Sequence, residues 1–125
     1  MEPKGIVLDR TTRKLIVFLA AAGAIPVTVN YYDILRQDKM DMSIYRPGCE
    51  LENTNGTNEV EICPAPDAGV TRVINYICVH DSDAGSETVT IAIDDSGTNH
   101  TQVVMTLATT ESMVWTPESG WKVVT

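Results

Sequence analysis

Apolar and polar residues alternate through most of this chain, a period of two that belongs to half-buried β-strands. The alternation is cleanest after residue 59. "EVEIC" predicts a short strand that "PAPDAG" stops. "VTRVINYICVH" predicts a long strand with apolar residues on both faces, hence a central one. "ETVTIAID" places Val89, Ile91 and Ile93 on one face and Thr88 and Thr90 on the other. "DSG" supplies a tight turn. "TNHTQVVMTL" then buries Val103, Met105 and Leu107, and "SMVWT", "PESG" and "WKVVT" read as a last hairpin. No segment carries a helical period beyond a single turn. Short strands at this spacing, with turn residues between them, predict an all-β antiparallel sandwich of jelly-roll or Ig-like type.

The longest apolar run is "KLIVFLAAAGAIPVTVNYYD", Lys14 to Asp33. It reads as two strands around the small-residue turn "AAGA", an N-terminal β-hairpin arm over residues 1–35. In its second strand Val27, Val29 and Tyr31 share one face, while Thr28, Asn30 and Tyr32 share the other. The first strand is apolar on both: Leu15, Val17 and Leu19 on one side, Ile16 and Phe18 on the other. Such a strand needs cover on both faces, either inside this domain's own sandwich or from another chain. The candidate interface is therefore Leu15, Val17, Phe18, Leu19, Val27, Val29, Tyr31 and Tyr32. Between the arm and a β-domain at 59–125 lies a polar segment, 36–58. Pro47-Gly48 and Asn55-Gly56 are turn signals within it. It reads as a long loop or excursion with one short strand around Met42 to Tyr45, a length that is usually functional or interface-forming. The arm and the β-domain can also belong to one domain.

Leu15–Val29 is shorter than the about 20 apolar residues of a spanning helix, and Gly23 and Pro26 interrupt it. Glu2 and Asp9 occupy the would-be basic region of a secretion signal. Neither a membrane span nor a leader is expected. The chain has 125 residues, 43% of them hydrophobic, enough for one compact domain. Nine Lys and Arg stand against 17 Asp and Glu, a net charge of -8, so a nucleic-acid partner is not expected. Cys49, Cys63 and Cys78 are odd in number and share no CxxC spacing, which fits reduced thiols better than a disulfide framework or a zinc site.

Chemistry-bearing constellations are sparse. His80 and His100 have no nucleophile elbow near them and read as solvated strand-end residues, so no enzyme activity is expected. Asp81 and Asp83, and Asp94 and Asp95, would fall at opposite ends of a hairpin formed by 70–80 and 87–94. They read as turn caps rather than ligands of one calcium ion, and no metal or cofactor is expected. "NGT" at Asn55 and "NHT" at Asn99 match a glycosylation acceptor that matters only in a secreted protein. Trp115 and Trp121 flank the last turn. They suit the end of a sandwich core, or a platform stacking on a sugar, as in carbohydrate-binding modules.

Two stretches carry a resemblance: "RTTRKLIVFLAAAGAIPVTVNYYD", and "VTRVINYICVHDSDAGSETVTIAIDDSGTNHTQVVMTLATTESMVWTPESGWKVVT". An early "LIVFLA" strand, a "PVTVNYYD" strand, the polar "ENTNGTNEVEI" middle, the "TVTIAIDDSGTNHTQVVMTL" pair and a final "GWKVV" follow one another. In this order the chain resembles small β-sandwich virion structural proteins of tailed bacteriophages. The segment "RQDKMDMSIYRPGCE" departs from the shorter middle of that group. The resemblance implies an architectural role on the capsid exterior, as a decoration (cement) protein, or alternatively at the neck, tail or fibre attachment. It implies the major capsid protein or other virion proteins as partners, self-association as a dimer or trimer, and synthesis in the host cytoplasm.

Overall fold

The computed structural model describes residues 5–37 and 42–125. Among the described residues the elements are strands, with no helix: β1 (Val7–Leu8), β2 (Arg13–Leu19), β3 (Pro26–Gln37), β4 (Met42–Asn53), β5 (Val60–Cys63), β6 (Val70–His80), β7 (Glu87–Asp95), β8 (Thr98–Leu107), β9 (Ser112–Thr116) and β10 (Gly120–Val124). All pairs are antiparallel. One sheet runs β10-β9-β6-β3-β4, with β1 beside part of β6. The other runs β5-β2-β7-β8. The two sheets pack as an antiparallel β-sandwich, as the alternation predicts.

The inner faces supply one core. Leu15, Val17 and Leu19 of β2, Val89 and Ile91 of β7 and Leu107 of β8 meet Val27 and Val29 of β3, Ile74, Ile77 and Val79 of β6, and Met113 and Trp115 of β9. The predicted turns form where the backbone demands special residues. Ser96 and Gly97 take positive φ (52° and 94°) between β7 and β8, and Gly120 (φ 69°) closes the last hairpin.

The N-terminal hairpin arm is not formed. β2 pairs with β5 and β7, whereas β3 pairs with β4 and β6 in the other sheet. "AAGAIP" is therefore a crossover between layers. The reason is apolar content: both strands bury a full face, and only opposite layers let those faces meet. Backbone bonds fix the crossover, with Ala20 N–H donating to Thr88 O (3.0 Å) and Gly56 N–H to Gly23 O (2.8 Å). Thr54, 2% exposed, is the polar staple. Its Oγ1 accepts the Ile25 N–H at 2.9 Å and donates to Gly23 O at 3.2 Å. The second apolar face of β2 is covered within the chain at Ile16, 1% exposed, while Phe18 stays half-buried.

The polar segment 36–58 is largely strand, not a loop. β4 pairs with β3 without a register shift from Gln37↔Met42 to Pro26↔Asn53; residues 38–41 of the expected excursion lie outside the described residues. Nor do β6 and β7 form a hairpin: they belong to different sheets.

Because β2 and β3 carry much of the core, deleting residues 1–33 should abolish folding. The truncated chain is expected to lose its cooperative thermal transition by circular dichroism. A soluble, cooperatively melting fragment would contradict this assignment.

Candidate functional site: the open edge strand

Of the eight residues expected at an interface, five are core. Leu15, Val17, Leu19, Val27 and Val29 are 0–2% exposed and cannot reach a partner while the domain is folded. The misassignment has a simple cause: a strand that needs cover looks alike whether its own second sheet or another chain provides it. Phe18, Tyr31 and Tyr32 are half-buried. Of these, Tyr32 adjoins a strongly exposed side chain on β4, its ring centroid 5.9 Å from that of Tyr45.

Among the residues whose side chains are described, the large apolar ones left exposed are Tyr45, Leu51, Val104, Val123 and Val124, the first two, on β4, at 64% and 72%. β4 is an edge strand, and among the described residues the edge strands differ. β1, β5 and β10 are short, and β8 is broken by a bulge opposite Ile91/Ala92. β4 runs 12 residues in unbroken register. Natural sheets blunt such edges because unpaired N–H and C=O groups template another strand. Here the blunting is partial: Pro47 and the charges of Arg46, Glu50 and Glu52.

The geometry of β4 follows from two observations. Thr54 N–H donates to Ile25 O at 3.0 Å, so the even-numbered residues of β4 bond toward β3. The odd-numbered ones, Tyr45 to Leu51, turn their backbone to the open side. Pro47 falls on that side, where its missing N–H costs no bond to β3. Side chains alternate the other way. Gly48 lies under Tyr31, whose ring a Cβ would meet at 2.3 Å, so the even residues share the inner side and Tyr45, Cys49 and Leu51 the outer.

A buried ion pair holds this strand from beneath. Asp33 and Arg72 are cross-strand partners on β3 and β6. A bulge at Asn75 shifts the parity of β6, bringing Ile74 and Arg72 inward beside Tyr31 and Asp33. Arg72 donates from Nε and Nη2 to the two Asp33 oxygens at 2.7 and 2.9 Å, and from Nη1 to Pro64 O at 2.7 Å. Its guanidinium lies 4.3 Å from the Tyr31 ring centroid. Arg46 of β4 reaches Asp33 at 3.8 Å. The bidentate pair orients Tyr31, and Tyr31 carries Gly48. Burial also pushes the neighbouring Cys63 thiol up to about 12, so it is inert at neutral pH. All three cysteines are free, with Cys49 exposed.

Other candidate groups resolve into structural roles. Asp94 Oδ1 caps the Gly97 N–H at 2.7 Å, and Asp81 Oδ1 accepts the Asp83 N–H at 3.0 Å. His80 Nδ1 lies 2.8 Å from Ser112 Oγ, and His100 is exposed. Trp115 and Trp121 pair across the last hairpin at 6.1 Å between centroids. Trp115 is 5% exposed and closes the core against Gly5, so its ring offers no open face. Among the described residues no three His, Cys, Asp or Glu side chains are placed to hold a metal ion.

At the crossover corner Glu87, 6% exposed, is pushed up to about 7, first by its hydrogen bond to Asp83, then by burial and the charges of Asp83 and Asp81. Gly23 leaves room for both carboxyl groups, since a Cβ there would meet Glu87 and Asp83 oxygens at 2.2 and 2.6 Å.

Two measurements test these electrostatics. Removing one partner of the buried pair, by Arg72→Ala or Asp33→Ala, should cost about 3–5 kcal/mol in denaturant unfolding. A loss below about 1 kcal/mol would show that the pair is not a support. The folded state holds the Glu87 proton up to about pH 7, whereas an unfolded chain releases it near 4.5. Between those values the native state binds more protons, so this group's stabilisation is full at low pH and lost as pH rises through 7. The melting temperature should fall over that window, and Glu87→Gln should flatten the fall.

No family model, curated protein or solved structure matches the chain.

Proposed function

We propose that this chain is a structural subunit of a bacteriophage virion, most simply a capsid decoration protein on the shell exterior. The observation that carries the reading is the long, regular, open edge of β4 with Tyr45 and Leu51 exposed beside it. Such an edge is built for strand addition, in which backbone hydrogen bonds provide affinity and neighbouring side chains provide selectivity. The order of the sequence motifs supports the same role. So does the acid excess, which suits the outside of a shell better than a DNA-lined interior, where phosphates would repel it.

The mechanism is additive assembly. Copies meet one another and the major capsid protein through the open edge and the exposed apolar residues. A stable contact needs about 800 Å² from each partner. Contacts weaker than that still hold when many copies share one shell, because each bound contact raises the effective concentration of the next. The same surface chemistry would serve a neck, tail or fibre-attachment module, and stoichiometry separates the two.

Quantitative gel densitometry of purified particles should show hundreds of copies per virion. A dozen or so copies would replace the decoration assignment with a neck or tail one, and absence from purified particles would refute the virion reading itself.

A further inference from the structure

We propose that β4 is a self-complementary edge, and that two copies of this chain join through it as a two-fold antiparallel pair centred on Gly48. The inference deepens the assembly reading, with which it shares the β4 edge, by naming the partner and the register.

The register follows from parity and side-chain chemistry. Only the odd-numbered residues present backbone groups to the open side, so odd residues must face odd residues in the partner. An axis through Gly48 does this. Tyr45 then faces Leu51 of the second copy, and Leu51 faces its Tyr45, so these exposed apolar side chains cover each other on the outer side. On the inner side Arg46 faces Glu50 of the second copy, in both halves of the pair. Arg46 is 60% exposed and reaches Asp33 only at 3.8 Å, which leaves it free to meet a second carboxylate. The outward N–H groups of Tyr45, Cys49 and Leu51 find the carbonyls of Leu51, Pro47 and Tyr45. Only the Cys49 carbonyl, opposite Pro47, lacks a backbone donor. On the axis, Gly48 faces Gly48, where opposed strands come closest and a side chain would crowd both Tyr31 rings.

Neighbouring registers fail one requirement or another. An axis through Pro47 sets proline against proline and Arg46 against Gly48. An axis through Arg46 or Glu50 sets like charges together. An axis through Cys49 keeps a charge match, Arg46 with Glu52, but puts Tyr45 opposite Asn53. Centring on Gly48 satisfies both the apolar and the ionic match. The other edges lack this symmetry: β8 is bulged, and β5 and β10 are short.

The test uses the full chain. In sedimentation velocity, wild-type protein at roughly 100 μM should run as a dimer that dissociates on dilution, as a small interface requires. Arg46→Glu and Glu50→Arg singly should each weaken the dimer at least about tenfold, because each places like charges opposite one another twice. The double variant R46E/E50R should restore it. Hydrogen exchange of the unmodified protein gives a second reading that needs no variant. The amides of Tyr45, Cys49 and Leu51 should slow at least about tenfold as the dimer forms. Those of Arg46, Gly48 and Glu50, already bonded to β3, should not change with concentration.

A chain that stays monomeric, a dimer whose Tyr45, Cys49 and Leu51 amides keep exchanging freely, or a double variant that fails to restore association would each overturn the proposal. These outcomes are separable from the virion reading. A β4 dimer that is absent from purified particles refutes only the virion role, and a monomeric chain abundant on particles refutes only the dimer.

Discussion

The fold depends on one constraint: the chain must cross from one layer to the other between Leu19 and Pro26. β2 and β3 are consecutive and both strongly apolar, and each buries its inner face against the other's sheet. Had they paired as a hairpin, their apolar faces would lie side by side with no second layer supplied by either. The crossover converts a local surplus of apolar surface into a core. Ala20–Ala22 and Ala24 of the crossover face solvent, while backbone groups of Ala20, Gly23 and Ile25 find internal partners in Thr88, Gly56 and Thr54.

That arrangement sets the conditions at both ends of the sandwich. At the crossover end, Gly23 leaves room for the Asp83 and Glu87 carboxyl groups. The hydrogen bond to Asp83, burial and the charges of Asp83 and Asp81 keep the Glu87 proton on to about pH 7. Further along, Arg72 and Asp33 substitute a bidentate ion pair for apolar packing. A buried pair of this kind contributes little net stability, but its loss leaves a charge stranded. Its consequence here is positional, because it fixes Tyr31, and Tyr31 lies under Gly48 at the middle of the open edge.

The edge itself is where the assembly reading and the structure meet. Strands with an unprotected side are a hazard in a monomeric protein and a resource in an assembling one. The short β5 and β10 and the bulged β8 are the protected kind. β4 carries its charges as a pattern, with Arg46 and Glu50 symmetric about Gly48 and Tyr45 and Leu51 symmetric about the same residue. Charges placed that way discourage indiscriminate pairing and favour one register.

The sequence by itself determined the class of the fold, the strands after residue 59 and their turns. Those depend on alternation and on turn residues such as Ser96 and Gly97, which act over a few positions. It also determined that β2 must be covered on both faces. It did not determine what covers it, because Leu15, Val17 and Val29 read alike against a second sheet or a second chain. Nor did it reveal β4 beyond the short strand around Met42 to Tyr45. Pro47-Gly48 reads locally as a turn, and only the pairing with β3, which orients Pro47 toward the open side, makes a proline tolerable in a 12-residue strand. Which strands share a sheet, and so which edge stays open, was decided by the tertiary structure, because apolar faces choose partners by burial across the whole chain and not by nearness in sequence.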